Sequence, residues 1–374
     1  MEVELLKDNL KEGLNIIEKI AKKNINLPIL NNILLSTEGN FLRLDATNLE
    51  ISISYWFLCK IKEKGKVTIL ADLLTNLINF LEEKKLKLKT INSDLVIETE
   101  NQKNKIKGIN PEEFPIIPKI EKEKICKVDN KILLKAFSQI IEIPSLSSFR
   151  PEISGVYFVF LKNQIKIVGT DSFRLAEKNI NLEEKIKKEI SFILPVNTVK
   201  ELISILSQKE GFVEIYFSPN QVLFEFPQEE ISSSQIQVLS RLIEGEYPKY
   251  QEIIPKKYKT RIILKKENFQ NLIKQAGLFS GKSFEVKLAT QPKENRLKIY
   301  SSSYDLGENE SYLLTKIEGE ETIISFNYRF LLSGLSNINS SEVIFELNGE
   351  EGPGVLKPVG DESYIYLLMP IKGS

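Results

Sequence analysis

The chain has 374 residues, 42% of them hydrophobic and 27% charged, and its 51 basic residues equal its 51 acidic residues. This composition is typical of a soluble globular protein, and the length predicts two or three domains. Zero net charge argues against a protein that grips nucleic acid over its whole surface, although one face can be basic and the opposite face acidic.

Several classes of site are disfavoured by what the chain lacks. It contains no histidine, which is the commonest general base and a common zinc ligand, so hydrolase and transferase chemistry are disfavoured. Its two cysteines, Cys59 and Cys126, fit neither a disulfide framework nor a paired metal site and indicate reduced thiols. No apolar run is long enough to predict a membrane span, and residues 1–4 do not follow the order of a signal peptide. We therefore expect a cytoplasmic protein with no metal and no cofactor.

A long, weak repeat runs through the chain: helix, strands, helix and strands occur in that order three times. An amphipathic basic helix leads each copy, and these helices are predicted at 8–23, from Asp129 or Asn130, and from near Lys266. The second helices are predicted at 71–81, 196–206 and 327–336. The strands are predicted at 30–36, 41–45, 49–54, 86–89 and 95–99, then at 155–161, 164–169, 174–180, 213–217 and 222–226, and finally at 284–289, 296–301, 310–315, 343–347 and 364–369.

Matching sequence features divide the copies from one another. An aromatic residue followed by proline, at Phe114-Pro115 and again at Tyr247-Pro248, closes each of the first two copies. Charged linkers are predicted at 119–124 and 255–260. The pattern therefore predicts an α+β fold with three similar domains, at 1–120, 125–252 and 257–374.

Two patterns that suggest chemistry are better explained as ordinary surface. Residues 277–283 resemble a phosphate-binding loop, but Ala276 occupies the place of the first glycine, and the segment follows a helix rather than a strand. A polar turn is favoured there. The acidic pairs Glu82-Glu83, Glu112-Glu113 and Glu350-Glu351 are expected to be solvated charges rather than metal or acid–base sites.

The apolar stretch 364–372 leaves two readings open. Pro370 cannot donate a ladder hydrogen bond, so the strand should stop pairing there. Either this strand simply completes a sheet, or Met369-Pro370-Ile371 lines an apolar groove for a partner's peptide. Similarly, Arg150 belongs either to a plain connection or to a phosphate or peptide contact, and 169–176 is either a turn or the rim of a groove.

Seven stretches taken together are far more specific than any one of them. In order and spacing over the full length they resemble the bacterial DNA polymerase III beta subunit, the DNA sliding clamp family; the stretches are 27–35, 45–51, 113–115, 150–158, 170–176, 246–250 and 366–372. The resemblance implies a head-to-tail homodimer that closes into a ring of six similar domains, with twelve helices lining the hole and strands forming the outer wall.

The resemblance also implies a function. The chain would be a non-catalytic processivity factor, located at the bacterial nucleoid, that encircles duplex DNA without reading its sequence and tethers proteins to it. Its expected partners are double-stranded DNA, the DNA polymerase III alpha subunit, the clamp-loader complex and other proteins with a Gln-Leu-x-Leu-Phe type of motif. Two other classes stay open: a monomeric clamp-fold scaffold that binds peptides without encircling DNA, and a nucleotide-dependent enzyme.

Site residues carry over from the family by position. The partner-peptide groove would use Arg150, Ile153, Thr170, Ser172, Arg174, Leu175, Pro248, Leu368, Met369, Pro370 and Ile371. The DNA-facing lysines would be Lys11, Lys22, Lys23, Lys131, Lys135, Lys265 and Lys274, and the dimer interface would include Ile106 and Phe279.

The chain departs from the family pattern at four positions. Asn24 stands where the family usually has an arginine, and Glu252 stands where a basic residue can occur. Ser172 and Phe173 stand where glycine and histidine are common.

Overall fold

The computed structural model describes residues 1–21, 25–120, 123–144, 149–228 and 231–372. Within these ranges there are six α-helices: α1 (Lys7–Ile17), α2 (Ala71–Phe80), α3 (Asn130–Ile140), α4 (Val196–Leu206), α5 (Lys266–Leu278) and α6 (Tyr328–Ser336). All six lie where the sequence predicts a helix, but α1 is shorter than the predicted 8–23. It ends at Ile17, and a tight turn follows in which the Ile20 N–H donates to the Ile17 carbonyl at 3.1 Å and the Ile20 side chain is buried. Lys22, Lys23 and Asn24 lie outside the described residues.

The strands pair antiparallel throughout the described chain. The first fourteen are β1 (Glu2–Leu6), β2 (Asn32–Glu38), β3 (Phe41–Thr47), β4 (Ile51–Leu58), β5 (Lys60–Glu63), β6 (Lys66–Leu70), β7 (Lys85–Ile91), β8 (Asp94–Glu98), β9 (Lys103–Ile106), β10 (Gly108–Ile109), β11 (Glu123–Asp129), β12 (Gly155–Leu161), β13 (Gln164–Thr170) and β14 (Arg174–Asn181). The others are β15 (Ile190–Pro195), β16 (Phe212–Ser218), β17 (Gln221–Gln228), β18 (Ile231–Arg241), β19 (Thr260–Lys265), β20 (Glu285–Gln291), β21 (Arg296–Ser303), β22 (Gly307–Leu314), β23 (Lys316–Gly319), β24 (Ile323–Asn327), β25 (Glu342–Leu347), β26 (Gly354–Pro358) and β27 (Tyr364–Leu368).

Each predicted strand is present, with ends that differ by a few residues, and twelve strands are additional. Six of the additional strands, β1, β6, β11, β15, β19 and β24, each run into the next helix without an intervening residue. The repeating element is therefore a strand joined directly to a helix. Of these six strands, β1, β11 and β19 mix polar with apolar residues, whereas serine is the one polar residue of β15.

Contacts divide the described chain into two compact units. The first comprises 1–132 and 200–242 and holds a five-stranded sheet, in the order β5-β1-β7-β8-β9, and a nine-stranded sheet, in the order β10-β6-β2-β3-β4-β18-β17-β16-β11. Helices α1 and α2 pack on each other, and α1 covers β3 and β4. The apolar stripe of α1 is buried, with Leu10 and Leu14 at 0% exposure, as its helical period predicts.

The second unit comprises 133–199 and 243–374. It holds a nine-stranded sheet, in the order β15-β12-β13-β14-β27-β26-β25-β19-β23, and a four-stranded sheet, in the order β22-β21-β20-β24. Helices α5 and α6 pack on each other, and α5 also covers β21 and β22. β27 ends at Leu368, so pairing stops before Pro370, as predicted.

The nine-stranded sheets join segments that are far apart in sequence. In the first unit β4 pairs with β18, and in the second β14 pairs with β27. Both pairings cross the boundaries predicted for three domains, near 120–125 and 252–257. The strands of the predicted middle domain are thus shared between the two compact units, because backbone pairing at each junction is as continuous as it is within a domain.

A close contact in the second unit fixes the distance between α6 and β27. An added Cβ at Gly334 would lie 2.5 Å from the ring of Tyr366, whose hydroxyl donates to the Phe330 carbonyl at 2.9 Å. We expect Gly334→Ala to lower the free energy of unfolding by about 1–3 kcal/mol through overpacking, despite the better helix propensity of alanine. Urea unfolding followed by circular dichroism measures this. Ser336→Ala, on the exposed face of α6, is the control, and an unchanged midpoint for Gly334→Ala would contradict the expectation.

Candidate functional site

A cavity of about 170 Å³ lies in the second unit, beside the start of β14 and the end of β27. Eight of the eleven predicted groove residues line it: Arg150, Ile153, Thr170, Ser172, Arg174, Leu175, Pro248 and Met369. Five further residues that were not predicted also line it: Phe173, Lys249, Tyr250, Ile253 and Leu367. The structure therefore brings together most of the groove that the family resemblance implied.

The other three predicted residues do not line this cavity. Successive side chains of a strand point to opposite faces, so Leu367 and Met369 face the cavity while Leu368 is fully buried on the other side. Pro370 is buried, and the backbone N–H of Ile371 donates to the Ser325 carbonyl at 2.8 Å. Strand alternation was the signal that would have selected Leu367 in place of Leu368.

The floor of the groove is apolar and uncharged. Leu175, Leu367 and Tyr250 belong to one buried cluster with Ile153 and Tyr247. Burial, with a hydrogen bond from its hydroxyl to Glu177 at 2.7 Å, raises the pKa of Tyr250, and burial likewise raises the pKa of Tyr247. Both tyrosines are therefore neutral, and the floor suits leucine or phenylalanine side chains.

One wall of the groove is a tight turn between β13 and β14. The Thr170 hydroxyl donates to the Arg174 carbonyl at 2.8 Å, and Asp171 Oδ1 accepts from the backbone N–H groups of Phe173 and Arg174. Ser172, between them, has a φ of 77°, in the left-handed region that favours glycine. The observed backbone thus explains why glycine is common there in the family.

Arg174 is fixed behind this wall rather than free. Its Nε donates to Asp171 Oδ2, Nη1 to the Ser333 hydroxyl and Nη2 to the Glu142 carbonyl, each at 2.9 Å. Burial opposes its charge, but the adjacent Tyr366 and Asp171 outweigh burial and raise the pKa of Arg174. Arg174 is therefore a permanent cation that ties the groove wall to distant segments of the second unit.

Arg150 lies at the rim, with its side chain 49% exposed. Its Nη1 donates to the Ser172 hydroxyl at 2.9 Å, and its Nε donates to Glu152 Oε1 at 3.2 Å. These two contacts hold the guanidinium at the edge of the cavity, where a ligand can still reach it.

The first unit repeats the turn but not the groove. The Thr47 hydroxyl donates to the Ile51 carbonyl at 3.0 Å, and Asn48 Oδ1 accepts from the backbone N–H groups of Glu50 and Ile51. Leu49 has a φ of 73° in the place of Ser172. A cavity of about 330 Å³ lies in this unit beside Ser52. Ile51 and Ser52 stand in the places of Arg174 and Leu175, and a cation that lines this cavity is Arg43, which donates to Asp45 and Ser54 instead.

The predicted DNA-facing lysines are scattered over three helices. Lys11 is partly buried on α1, Lys131 and Lys135 are exposed on one face of α3, Lys265 precedes α5 and Lys274 is exposed on it. Lys131 pairs with Glu210 at 3.1 Å. Lys200 is a further exposed lysine, on α4.

The predicted interface residues lie near strands at the edges of two sheets. Ile106 is only 5% exposed and belongs to β9, an edge strand in the described part of the first unit. Phe279 follows α5 and is partly buried, and α5 covers β22, an edge strand in the described part of the second unit. Ile106 therefore lies on an open sheet edge, and Phe279 follows a helix that packs against another open edge.

Residues 277–283 do not form a phosphate loop. Gly277 and Leu278 end α5, and a single 3₁₀ turn at Gly281–Ser283 follows. Among the described residues, no three or more Cys, Asp or Glu side chains are clustered as metal ligands would be. None of the described helices has the length and apolar character needed to cross a membrane.

Comparison with known proteins covers the whole chain. Three family models match: the DNA polymerase III beta subunit N-terminal domain at 1–118, its central domain at 127–249 and its C-terminal domain at 251–372. The beta sliding clamp of Staphylococcus aureus is 28% identical over 384 residues, spanning 100% of this chain and 99% of that protein.

Solved structures agree on the fold. The DNA polymerase sliding clamp of Bacillus subtilis superposes with a TM-score of 0.93 at 24% identity, and a sliding clamp of Pseudomonas aeruginosa bound to griselimycin does so with 0.92 at 18% identity. Each comparison covers 100% of both chains. Because the three family models account for nearly every residue, the chain belongs to the DNA polymerase III beta subunit family of non-catalytic sliding clamps.

Proposed function

We propose that this chain is a DNA sliding clamp that encircles duplex DNA as a closed head-to-tail homodimer. Through the groove of the second unit it tethers the DNA polymerase III alpha subunit, the clamp loader and other proteins that carry a short apolar motif. The observation that carries this proposal is the groove itself, with an apolar floor at Leu175, a wall fixed by Arg174 and Arg150 at the rim, on a clamp fold. The monomeric scaffold has no support among the relatives.

The groove has the properties that a short peptide requires. Its floor accepts apolar side chains without leaving a buried charge unpaired, and its rim offers cations to backbone carbonyls or carboxylates. The cavity of about 170 Å³ has room for one or two large side chains rather than for a cofactor. A motif of the Gln-Leu-x-Leu-Phe type supplies such side chains on a short extended segment.

Two edge strands, β9 and β22, support the proposed ring. β9 exposes Lys103 and Lys105, and β22 exposes Glu308 and Glu310. Pairing β9 of one protomer with β22 of its partner would satisfy both open backbone edges with opposite charges. Since the two surfaces differ, this is a head-to-tail contact, and two such contacts close a dimer into a ring.

Topological retention tests the function directly. The clamp is loaded on nicked circular DNA by the clamp loader of its own source, and the complex is isolated by gel filtration. We expect the clamp to stay on circular DNA and to leave after the DNA is cut once, because a closed ring is retained by topology rather than by affinity. Equal retention on circular and linear DNA would overturn the proposal.

DNA contact is expected from lysines that face away from the core. Lys131→Glu with Lys135→Glu should weaken binding to a short duplex and reduce the slope of log affinity against log salt by about 2, since about 0.9 is lost for each phosphate contact. Fluorescence anisotropy at several salt concentrations measures this slope. The matched control is Lys187→Glu with Lys188→Glu, two exposed lysines outside the helices. An unchanged slope would show that these two lysines of α3 do not contact DNA.

The proposed domain bounds and cellular location are consistent with the same function. The three copies of the repeat support domains at 1–120, 125–252 and 257–374, each with two helices, so that a dimer carries twelve. A clamp on replicating DNA would be found at the nucleoid in the bacterial cytoplasm.

A further inference from the structure

We propose that Ser172 is a positioning residue that holds Arg150 at the rim of the groove, and that it thereby makes the groove prefer peptides with an acidic residue beside the apolar motif. This inference rests on the proposed function of the groove and adds a rule for partner choice. It comes from a comparison of the same turn in the two units.

The backbone at Ser172 is unusual for a residue with a side chain. Its φ of 77° lies in the left-handed region, which glycine adopts without steric cost and serine does not. A serine at such a position therefore needs either a role in the turn or a role for its hydroxyl.

The first unit shows that the turn does not need the hydroxyl. Leu49 occupies the corresponding place with a φ of 73°, and its backbone N–H donates to the Thr47 hydroxyl at 3.1 Å. The Ser172 backbone N–H donates in the same way to the Thr170 hydroxyl, at 3.2 Å. In both turns threonine and an Asn or Asp supply the side-chain hydrogen bonds, so a leucine serves the fold as well as a serine.

The Ser172 hydroxyl is instead engaged by Arg150. It accepts from Arg150 Nη1 at 2.9 Å, while Glu152 Oε1 accepts from Arg150 Nε at 3.2 Å. A guanidinium held from two directions loses less conformational freedom when a ligand binds. Because the Arg150 side chain is still 49% exposed, it can meet a carboxylate from solvent.

The charges along the rim favour an acidic ligand. Arg150 and Lys249 both line the cavity, and Lys249 is exposed. Glu152 partly offsets Arg150, and Asp171 pairs with Arg174 behind the wall. One excess positive charge therefore lies at the opening, beside an apolar floor. A peptide with an acidic residue flanking its apolar motif complements both features.

Paired peptides test this inference. Labelled Gln-Leu-Ser-Leu-Phe is compared with versions that carry one added Glu or Lys before its first residue or after its last residue, by anisotropy at low salt. In wild type we expect the Glu version to bind about 5–10-fold more tightly than its Lys twin at one end of the motif. Ser172→Ala should reduce that ratio to about 2, because Glu152 alone then holds the guanidinium of Arg150.

A variant that restores the acceptor separates a positioning role of Ser172 from a purely structural role. Ser172→Asn should restore most of the ratio, because asparagine tolerates the left-handed backbone and its carbonyl oxygen can accept from Arg150. Arg150→Ala should abolish the ratio, and Leu49→Ala, in the matching turn, should leave it unchanged. An equal ratio in wild type and Ser172→Ala would overturn the inference. Loss of binding of the unmodified peptide by Ser172→Ala would overturn it as well. Failure of every peptide to bind wild type would instead overturn the groove function, and the inference with it.

Discussion

Replacing Leu175 by aspartate is expected to weaken binding of a Gln-Leu-Ser-Leu-Phe peptide by at least about 100-fold. Leu175 is 1% exposed and packs with Leu367 and Tyr250 in the floor of the groove. A carboxylate there would be buried beside the apolar side chains of the peptide without a partner, which is strongly unfavourable. Anisotropy titration of the labelled peptide against wild type and variant measures the effect.

The same burial makes Leu175 part of the core, so a second variant is required. Met369 is only partly buried at the edge of the cavity. Met369→Ala should weaken peptide binding by about 5–10-fold with little change in the stability of the protein. Ser52→Asp is the matched control, because Ser52 pairs with Leu239 as Leu175 pairs with Leu367. Wild-type affinity in Met369→Ala, or an equal loss in Ser52→Asp, would show that the peptide binds elsewhere.

Much of the fold follows from periodicity, and two of the strands that were not predicted, β1 and β9, share one cause. In β1, Val3 and Leu5 are buried and alternate with Glu2 and Glu4, so the apolar signal is spread over five residues. β9 carries still less of it, because Ile106 is its one buried side chain. Strands of this kind are stabilised by pairing with distant partners, such as β7 for β1, and local sequence does not specify those partners.

The groove was predictable only in part. The family resemblance selected eight residues that line it, because the turn at 170–174 and the stretch from 366 are recognisable motifs. Tyr250 and Ile253 reach the groove from a 3₁₀ turn, Tyr250–Ile253, which follows the predicted Tyr247-Pro248 boundary. The anchoring of Arg174 by Ser333 and Glu142 joins segments separated by 159 and 32 residues. No sequence motif spans such separations, so these hydrogen bonds of Arg174 can be seen only once the sheet is assembled.

Reversing the charges of β9 should have the other large effect, on assembly rather than on binding. Lys103→Glu with Lys105→Glu would place two carboxylates opposite Glu308 and Glu310 of the partner in each of two interfaces. Like charges on facing strands are destabilising, and opposite pairs contribute about 0.2–1 kcal/mol each. We expect the dimer to dissociate at protein concentrations about 100-fold higher than for wild type. Sedimentation at low and high salt measures this, and the difference should shrink as salt screens the charges.

The complementary variant makes this test specific to a head-to-tail ring. Glu308→Lys with Glu310→Lys should weaken the dimer by a similar factor, because both of its edges are then basic. Mixed with the β9 variant, however, each interface of a heterodimer pairs one basic and one acidic edge, so rings should re-form at concentrations at which each variant alone is monomeric. An isologous dimer that places β9 against β9 would behave differently, because Glu308→Lys with Glu310→Lys would leave that contact unchanged and this variant alone would associate as wild type does. If the mixture associates no more tightly than either variant alone, or if either variant alone dissociates at the same protein concentration as wild type, β9 and β22 do not form the interface. Re-formed rings would show that the two sheet edges close the clamp and that their opposite charges fix its direction.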